Sequence, residues 1–224
     1  MNDKPPPFQV KVVPVTPFQQ NCSIIRAPDG AAAVVDPGGE PEKILKAAEE
    51  FDARIEKIWL THGHLDHAGG AQAIKRATGA PIEGPHKDEV FWLDQIEETG
   101  RRYGLAGGEN CTPDRWLDDG DALTLDGLEF KVAFTPGHTP GHVVIYNEEA
   151  RLAFVGDVIF AGSIGRTDFP RGDHQTLINS ITGKLWPLGD DMRFVPGHGP
   201  MSTFGRERQS NPFVSDSALS KNGP

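Results

Sequence analysis

The sequence predicts an α/β fold, a sandwich of sheets and helices rather than one doubly wound sheet. Two features carry the prediction. Short apolar runs of strand character, such as IEKIWL at 55–60, EFKVAF at 129–134 and LAFV at 152–155, alternate irregularly with segments of helical composition. Several of these runs end in glycine-flanked knots of His and Asp, at the carboxyl ends of strands, where open α/β sheets place their sites.

In chain order, Pro5, Pro6 and Pro7 form an extended lead-in. Residues 8–16 alternate apolar and polar and read as a strand, which Pro14 and Pro17 put at a sheet edge. Residues 21–26 and 31–36 flank the turn Pro28-Asp29-Gly30, a hairpin signal. Asp36-Pro37-Gly38-Gly39 closes the second arm. A helix follows over 40–51, with Ile44, Leu45, Ala48 and Phe51 on one face. The strand at 55–60 runs into the loop THGHLDHAGG at 61–70, and 68–78 has helix-forming composition.

Beyond it the sequence predicts a short strand at 80–83, a helix at 87–99 and an irregular, glycine-bearing stretch at 103–114. Two strands lie within 116–134 around Asp126-Gly127, and further strands at 143–146 and 152–155. A helix capped by Asp173 spans 173–186, and a last strand spans 193–195. From Gly205 the chain is polar without periodicity, so 205–224 is expected as a surface or mobile tail. No internal repeat or long linker divides it, and 1–224 reads as one domain.

Composition narrows the function classes. The chain has 224 residues, 37% of them hydrophobic, and a net charge of −10, which repels nucleic-acid phosphates and argues against a nuclease. Its 26 Gly and 19 Pro imply many tight turns. With two cysteines, Cys22 and Cys111, there is neither a disulfide framework nor a thiolate cluster; one bridge between them stays open, and both read as packing residues. The N-terminus lacks the basic start and apolar run of a signal peptide, and no apolar stretch reaches membrane-spanning length. The expectation is a soluble cytoplasmic protein with no membrane or nucleic-acid partner and no protein partner evident.

The chemistry starts at 61–70, where His62, His64, Asp66 and His67 fall within six positions. Imidazole and carboxylate suit zinc, iron or manganese. In an extended loop, residues two apart point the same way, so His62 and His64 can grip one ion, with Gly63 easing the turn. Asp66 and His67 face elsewhere and can take a second. An Asp66 that only caps the next helix would leave three histidines without a purpose. His138, Asp157 and His198 each sit in a Gly-flanked turn after a short apolar strand. This assigns His62, His64 and His138 to a first ion, Asp66, His67 and His198 to a second, and Asp157 between them, each ion keeping a position for water. Two divalent ions per chain are expected, zinc first, with iron and manganese also suited. His142 reads as a residue behind the ligands, His86 and His174 as surface residues at helix starts, and Asp36 either as holding a loop near the site or as the start of the Pro-Gly turn, the turn being preferred.

His-x-His-x-Asp-His followed by a lone His, Asp and His resembles the metallo-β-lactamase fold superfamily over nearly the whole chain. Within it, Phe18-Gln19-Gln20-Asn21-Cys22, Asp36-Pro37-Gly38-Gly39, the repeated Gly-His of 137–142 and Gly156-Asp157 before Phe160 are similar to glyoxalase II, hydroxyacylglutathione hydrolase. The stretches 165–173 (GRTDFPRGD) and 196–200 (PGHGP) look like those of its short bacterial relatives. The resemblance implies a four-layer αβ/βα sandwich of two mixed sheets with external helices, and the ligand assignment above. It implies thioester hydrolysis, S-D-lactoylglutathione to D-lactate and glutathione, by a metal-activated water that Asp66 orients as the catalytic carboxylate. Full-length glyoxalase II carries a helical C-terminal domain for glutathione, and nothing after His198 corresponds to it. Arg166 stands where those enzymes place a glutathione-binding Lys, and can either hold a substrate carboxylate or pair with Asp168.

Three rivals follow. Persulfide dioxygenases share the fold and an Arg-Thr-Asp-Phe stretch like 166–169, with one iron on the residues matching His62, His138 and Asp157. Lactonases add a tyrosine near the oxyanion, whereas this chain has only Tyr103 and Tyr146. A metal-stabilised binding module would not need seven ligands to staple a chain that already buries a core.

Overall fold

The computed structural model describes residues 6–105 and 107–221. Strands β1 (Gln9–Val15), β2 (Gln20–Arg26) and β3 (Ala31–Val35) form an antiparallel meander. Helix α1 (Pro41–Glu49) returns the chain to β4 (Arg54–Trp59), parallel to β3. Helices α2 (Leu65–Ala68) and α3 (Ala71–Thr78) then lead to β5 (Ile82–Glu83), parallel to β4. The first sheet thus runs β1-β2-β3-β4-β5, with β1 at the expected edge. A 3-10 turn (Lys87–Glu89), α4 (Val90–Leu93) and α5 (Ile96–Tyr103) follow.

The second sheet holds β6 (Ala122–Leu125), β7 (Leu128–Phe134), β8 (Val143–Asn147), β9 (Leu152–Gly156), β12 (Arg193–Pro196) and β13 (Ser202–Thr203), ordered β13-β12-β9-β8-β7-β6. Only β12 and β9 pair in parallel. Between β9 and β12 come the small hairpin β10 (Ile159–Phe160) and β11 (Ser163–Ile164), then α6 (His174–Ser180). Helices α7 (Phe204–Ser210) and α8 (Asp216–Lys221) close the described chain.

Neighbouring residues on the strands point to opposite faces, and both faces are buried. On the first sheet Ile24, Val34 and Ile58 pack with Ile44 of α1 and Ile74 of α3. The alternate positions Ile25, Ala33, Val35 and Trp59 meet Phe130, Ile145, Phe154 and Val195 of the second sheet. The far side of that sheet, Val144, Ala153, Val155 and Phe194, packs under Leu177 of α6 and Phe204 of α7. The layers are helix, sheet, sheet, helix: the αβ/βα sandwich expected from the sequence, with two mixed sheets.

Several local expectations need correction. The loop at 61–70 contains α2, so Asp66 and His67 sit on a one-turn helix, and α3 starts at Ala71 after the break at Gly69-Gly70. The helix expected at 87–99 is three short pieces that reach Tyr103. Helix 173–186 is helical to Ser180 and continues as a wider turn at Ile181–Leu185; Asp173 caps it as expected, accepting the Thr176 N–H at 2.7 Å. The strand at 193–195 is not the last, since β13 follows. The segment from 205 does have periodic structure: α7 and α8 bury Phe204 and Val214 completely. Of the expected lead-in and tail, Pro5 and 222–224 lie outside the described residues. Among the described residues no helix is long and apolar enough to cross a membrane.

Candidate metal centre

The sites follow the ends of strands. β4 delivers His62 and His64, the turn between β7 and β8 delivers His138, β9 ends before Asp157 and β12 before His198. The structure brings all seven candidate ligands together. Three side-chain groups there could hold an ion: His62-His64-His138, Asp66-His67-His198, and Asp36-His62-His67.

In the first group, His64 Nδ1 lies 3.2 Å from His62 Nε2 and 3.1 Å from His138 Nε2. The outer hydrogen bonds fix what the His62 and His138 nitrogens carry. His138 Nδ1 donates to the Arg166 carbonyl at 2.7 Å, leaving Nε2 a lone pair. The Thr61 hydroxyl donates to Asp36 Oδ2 at 2.6 Å, so at 3.1 Å it accepts from His62 Nδ1, and His62 Nε2 also keeps a lone pair. In the second group, His67 Nδ1 donates to Asp36 Oδ2 at 2.9 Å and His198 Nδ1 to the Phe18 carbonyl at 3.1 Å. Their Nε2 atoms face Asp66 Oδ2 at 4.0 and 3.2 Å. Asp157 stands between the groups: Oδ2 is 3.6 Å from His138 Nε2 and 3.7 Å from His198 Nε2, and Oδ1 is 3.3 Å from His67 Nε2. A Cβ on Gly197 would collide with Asp157 Oδ1 and the His67 ring, so only glycine fits beside His198.

The electrostatics differ between the groups. Burial pushes His62, His64 and His138 down, His64 to about 3, so these rings are neutral. Burial works against charge on His67 too, but Asp157, then Asp36 and Asp66, carry it well above the ordinary imidazole value. His198 is raised against burial by Asp66 and Asp157. Asp157 is held well below the carboxylate range, against burial, by His67, His138 and His198.

Five imidazoles and two carboxylates suit a divalent ion, and the geometry fits one. His62 Nε2 and His138 Nε2, each with a free lone pair, converge on His64 Nδ1 at 3.2 and 3.1 Å, a spacing at which three imidazole nitrogens can share one cation. His64 Nε2, His67 Nε2 and Asp157 Oδ1 are buried without hydrogen-bond partners. The third group is the frame behind the second: Asp36 accepts from Thr61 N–H, the Thr61 hydroxyl and His67, and so orients rather than ligates.

That role corrects the preference for a plain turn at Asp36 and favours the alternative, a residue that holds a loop near the site. His142 does lie behind the ligands: its Nε2 accepts the Asp157 N–H at 3.1 Å and its ring stacks on His62 at 4.7 Å. His174 is exposed as expected, but His86 is half-buried, with its ring 4.6 Å from that of Phe134. Cys22 and Cys111 are buried and free. Arg166 is exposed and donates twice to Asp168, both at 2.7 Å, with its guanidinium 4.2 Å from the Phe169 ring centre. The sequence missed Glu89, whose carboxylate accepts the N–H groups of Gly63 and Gly141. Burial pushes its carboxyl up to about 7 against the Thr139 hydroxyl and those two N–H groups. No motif marks it, because its partners are backbone atoms distant in sequence.

Five of the candidate ligands, His64, Asp66, His138, Asp157 and His198, line a cavity of ≈ 970 Å³. Its walls are aromatic: Phe91, Trp92 and Phe169 form one run of ring contacts, Phe18 and Tyr103 another, and Phe160 also lines it. Trp92 and Phe169 stand edge-on to His64, 4.5 and 5.0 Å from its ring centre.

The model for the Metallo-beta-lactamase superfamily matches residues 15–198. Hydroxyacylglutathione hydrolase GloC of Haemophilus influenzae is 46% identical over 208 residues, covering 92% of this chain and 98% of that protein. The solved structure of the B3 metallo-beta-lactamase BLEG-1 superposes with a TM-score of 0.85 at 35% identity, over 92% of this chain and 99% of its own. TTHA1623 in a di-iron-bound form superposes with a TM-score of 0.83 at 35% identity, over 91% of this chain and 100% of its own.

Proposed function

The chain belongs to the metallo-beta-lactamase superfamily and is a metal-dependent hydrolase, and we propose that it hydrolyses glutathione thioesters, S-D-lactoylglutathione first among them, in the cytoplasm. The observation that carries this reading is the convergence of His62, His64, His138, Asp66, His67, His198 and Asp157, five of which (His64, Asp66, His138, Asp157 and His198) line a cavity of ≈ 970 Å³. That volume is at the upper end for small-molecule sites, about 300–1,000 Å³. The named relative that acts on hydroxyacylglutathione spans nearly the same length.

In this reading His62, His64 and His138 would hold one divalent ion and Asp66, His67 and His198 a second, with the Asp157 carboxylate between the two groups. Zinc is the first candidate, with iron and manganese also suited to the donor set. Such ions, when bound, polarise a carbonyl and bring the pKa of water down to roughly 7. The chain's own part is placement. Asp66 lines the cavity, and its carboxylate orients the water that attacks the thioester carbonyl. Asp36, Thr61 and the Arg166 carbonyl keep the imidazoles turned inward as acceptors. The aromatic walls hold the acyl-thioester segment and exclude bulk water. The C–S bond breaks and the thiolate leaves without a dedicated acid, taking up a proton to give glutathione. Arg166 guards the rim; to bind a substrate carboxylate it exchanges Asp168 for it.

The test is hydrolysis of S-D-lactoylglutathione by the purified chain, before and after chelation. Turnover that disappears on chelation and returns with zinc, iron or manganese is expected. No turnover by metal-loaded protein, with oxygen uptake on glutathione persulfide, would replace the hydrolase by the dioxygenase.

A further inference from the structure

Glu89 ends the 3-10 turn before α4 and is 0% exposed. Its Oε2 accepts the Gly63 N–H at 2.8 Å and its Oε1 the Gly141 N–H at 2.7 Å. Gly63 lies between His62 and His64, on the loop that leaves the first sheet. Gly141 lies three residues after His138, on a loop of the second sheet. One carboxylate therefore ties together the two loops that supply the first group of imidazoles.

The surroundings are shaped for this contact. A Cβ on Gly63 would stand 3.0 Å from Glu89 Oε2 and 2.9 Å from Trp92 Cβ, and one on Gly141 would stand 2.8 Å from Glu89 Cγ and Glu89 N. Both glycines let the backbones close onto the acid. Among the described residues the groups acting on Glu89 are hydrogen-bond donors and another acid, with no basic side chain among them, and a buried carboxylate without a counter-charge is costly to keep. The two N–H groups explain the residue type: a carboxylate has two equivalent acceptor oxygens and no donor, whereas an amide offers one acceptor and sets its NH₂ against the other N–H.

We propose that Glu89 is a positioning residue that sets the distance of His138 from His62 and His64, and thereby the affinity and geometry of the ion those three hold. It touches neither ion nor substrate. Its two bonds do not reach Asp66, His67 or His198, so its effect falls on one ion of the two. The inference rests on the ligand assignment made under Proposed function.

The experiment is competition with a chelator on Glu89→Gln and on the unaltered chain, both loaded with zinc, followed by cobalt substitution. The unaltered chain must first bind two ions; fewer than two would overturn the assignment itself and is read before any variant. In Glu89→Gln the first ion is expected to weaken about 10–100-fold, the usual effect of removing a group that orients a ligand. The second ion keeps its affinity, and the cobalt absorption band of the first site shifts. Glu89→Asp retains both acceptor oxygens on a shorter arm and is expected to recover part of the loss. Equal weakening of both ions would reduce Glu89 to a general structural strut, and unaltered affinity for both would remove it altogether. If the Gln variant does not fold, the comparison is made on Glu89→Asp: selective loss of the first ion supports the proposal, and equal loss or none overturns it.

Discussion

The two ligand groups are built by opposite means. His62, His64 and His138 are three rings kept neutral by burial, with the outer nitrogens of His62 and His138 spent on a hydroxyl and a carbonyl. Asp66, His67 and His198 mix carboxylate and imidazole, and there the acids raise the imidazoles against burial. His198 is also more open, its side chain 30% exposed against 2% for His138. Burial makes a ligand by denying it a proton, whereas charge makes a site that protons and metal contest. The first group should therefore hold its ion over a wide pH range, and the second should be the conditional one.

Replacing a ligand should give the largest effect. His138→Ala should remove the first ion and lower thioester turnover by more than the roughly 100-fold that marks the upper range for an outer partner. His198→Ala should remove only the second ion, and metal analysis beside turnover separates the two cases. Asp36→Asn comes next. It weakens the acceptor of three donors, Thr61 N–H, the Thr61 hydroxyl and His67 Nδ1–H, and should loosen the second ion about 10–100-fold.

Acidification should then distinguish the groups without any substitution. His67 and His198 bind protons more tightly than ordinary imidazoles, so protons displace the second ion as the pH falls through their raised values. The first group, depressed by burial, keeps its lone pairs to lower pH. Metal content measured along an acid titration should fall in two steps, the second group's ion leaving first. The smallest effect belongs to the rim. Arg166→Ala should leave the melting temperature unchanged, because the Arg166–Asp168 pair is exposed. It should raise KM several-fold with little change in kcat if the guanidinium takes a substrate carboxylate.

Much of this comparison was legible in the sequence, and what was hidden has a common cause. Ligand types and spacing are local, so His62 to His67 announce themselves, and the lone His138, Asp157 and His198 declare themselves by following apolar strands. The layered fold was legible because strands buried on both faces read as unbroken apolar runs, as in AAAVV of β3. Asp36 and Glu89 act through contacts 25 to 52 residues away, which no local pattern encodes. The hairpin β10–β11, two residues a side, is too short for periodicity to register. Helix α7 was missed because its polar residues are partly buried: Glu207 accepts the Ser202 hydroxyl at 2.5 Å and the Gly162 N–H at 2.7 Å, inside what reads as a solvated tail.

The central claim, two ions on two unlike groups, is tested most directly by counting metal per chain in the unaltered protein, in His138→Ala and in His198→Ala, each loaded with zinc and freed of excess. Two ions, one and one are predicted, with the ion left in His138→Ala the one that mild acid removes. A single ion in the unaltered protein, or loss of both ions in either variant, would contradict the account.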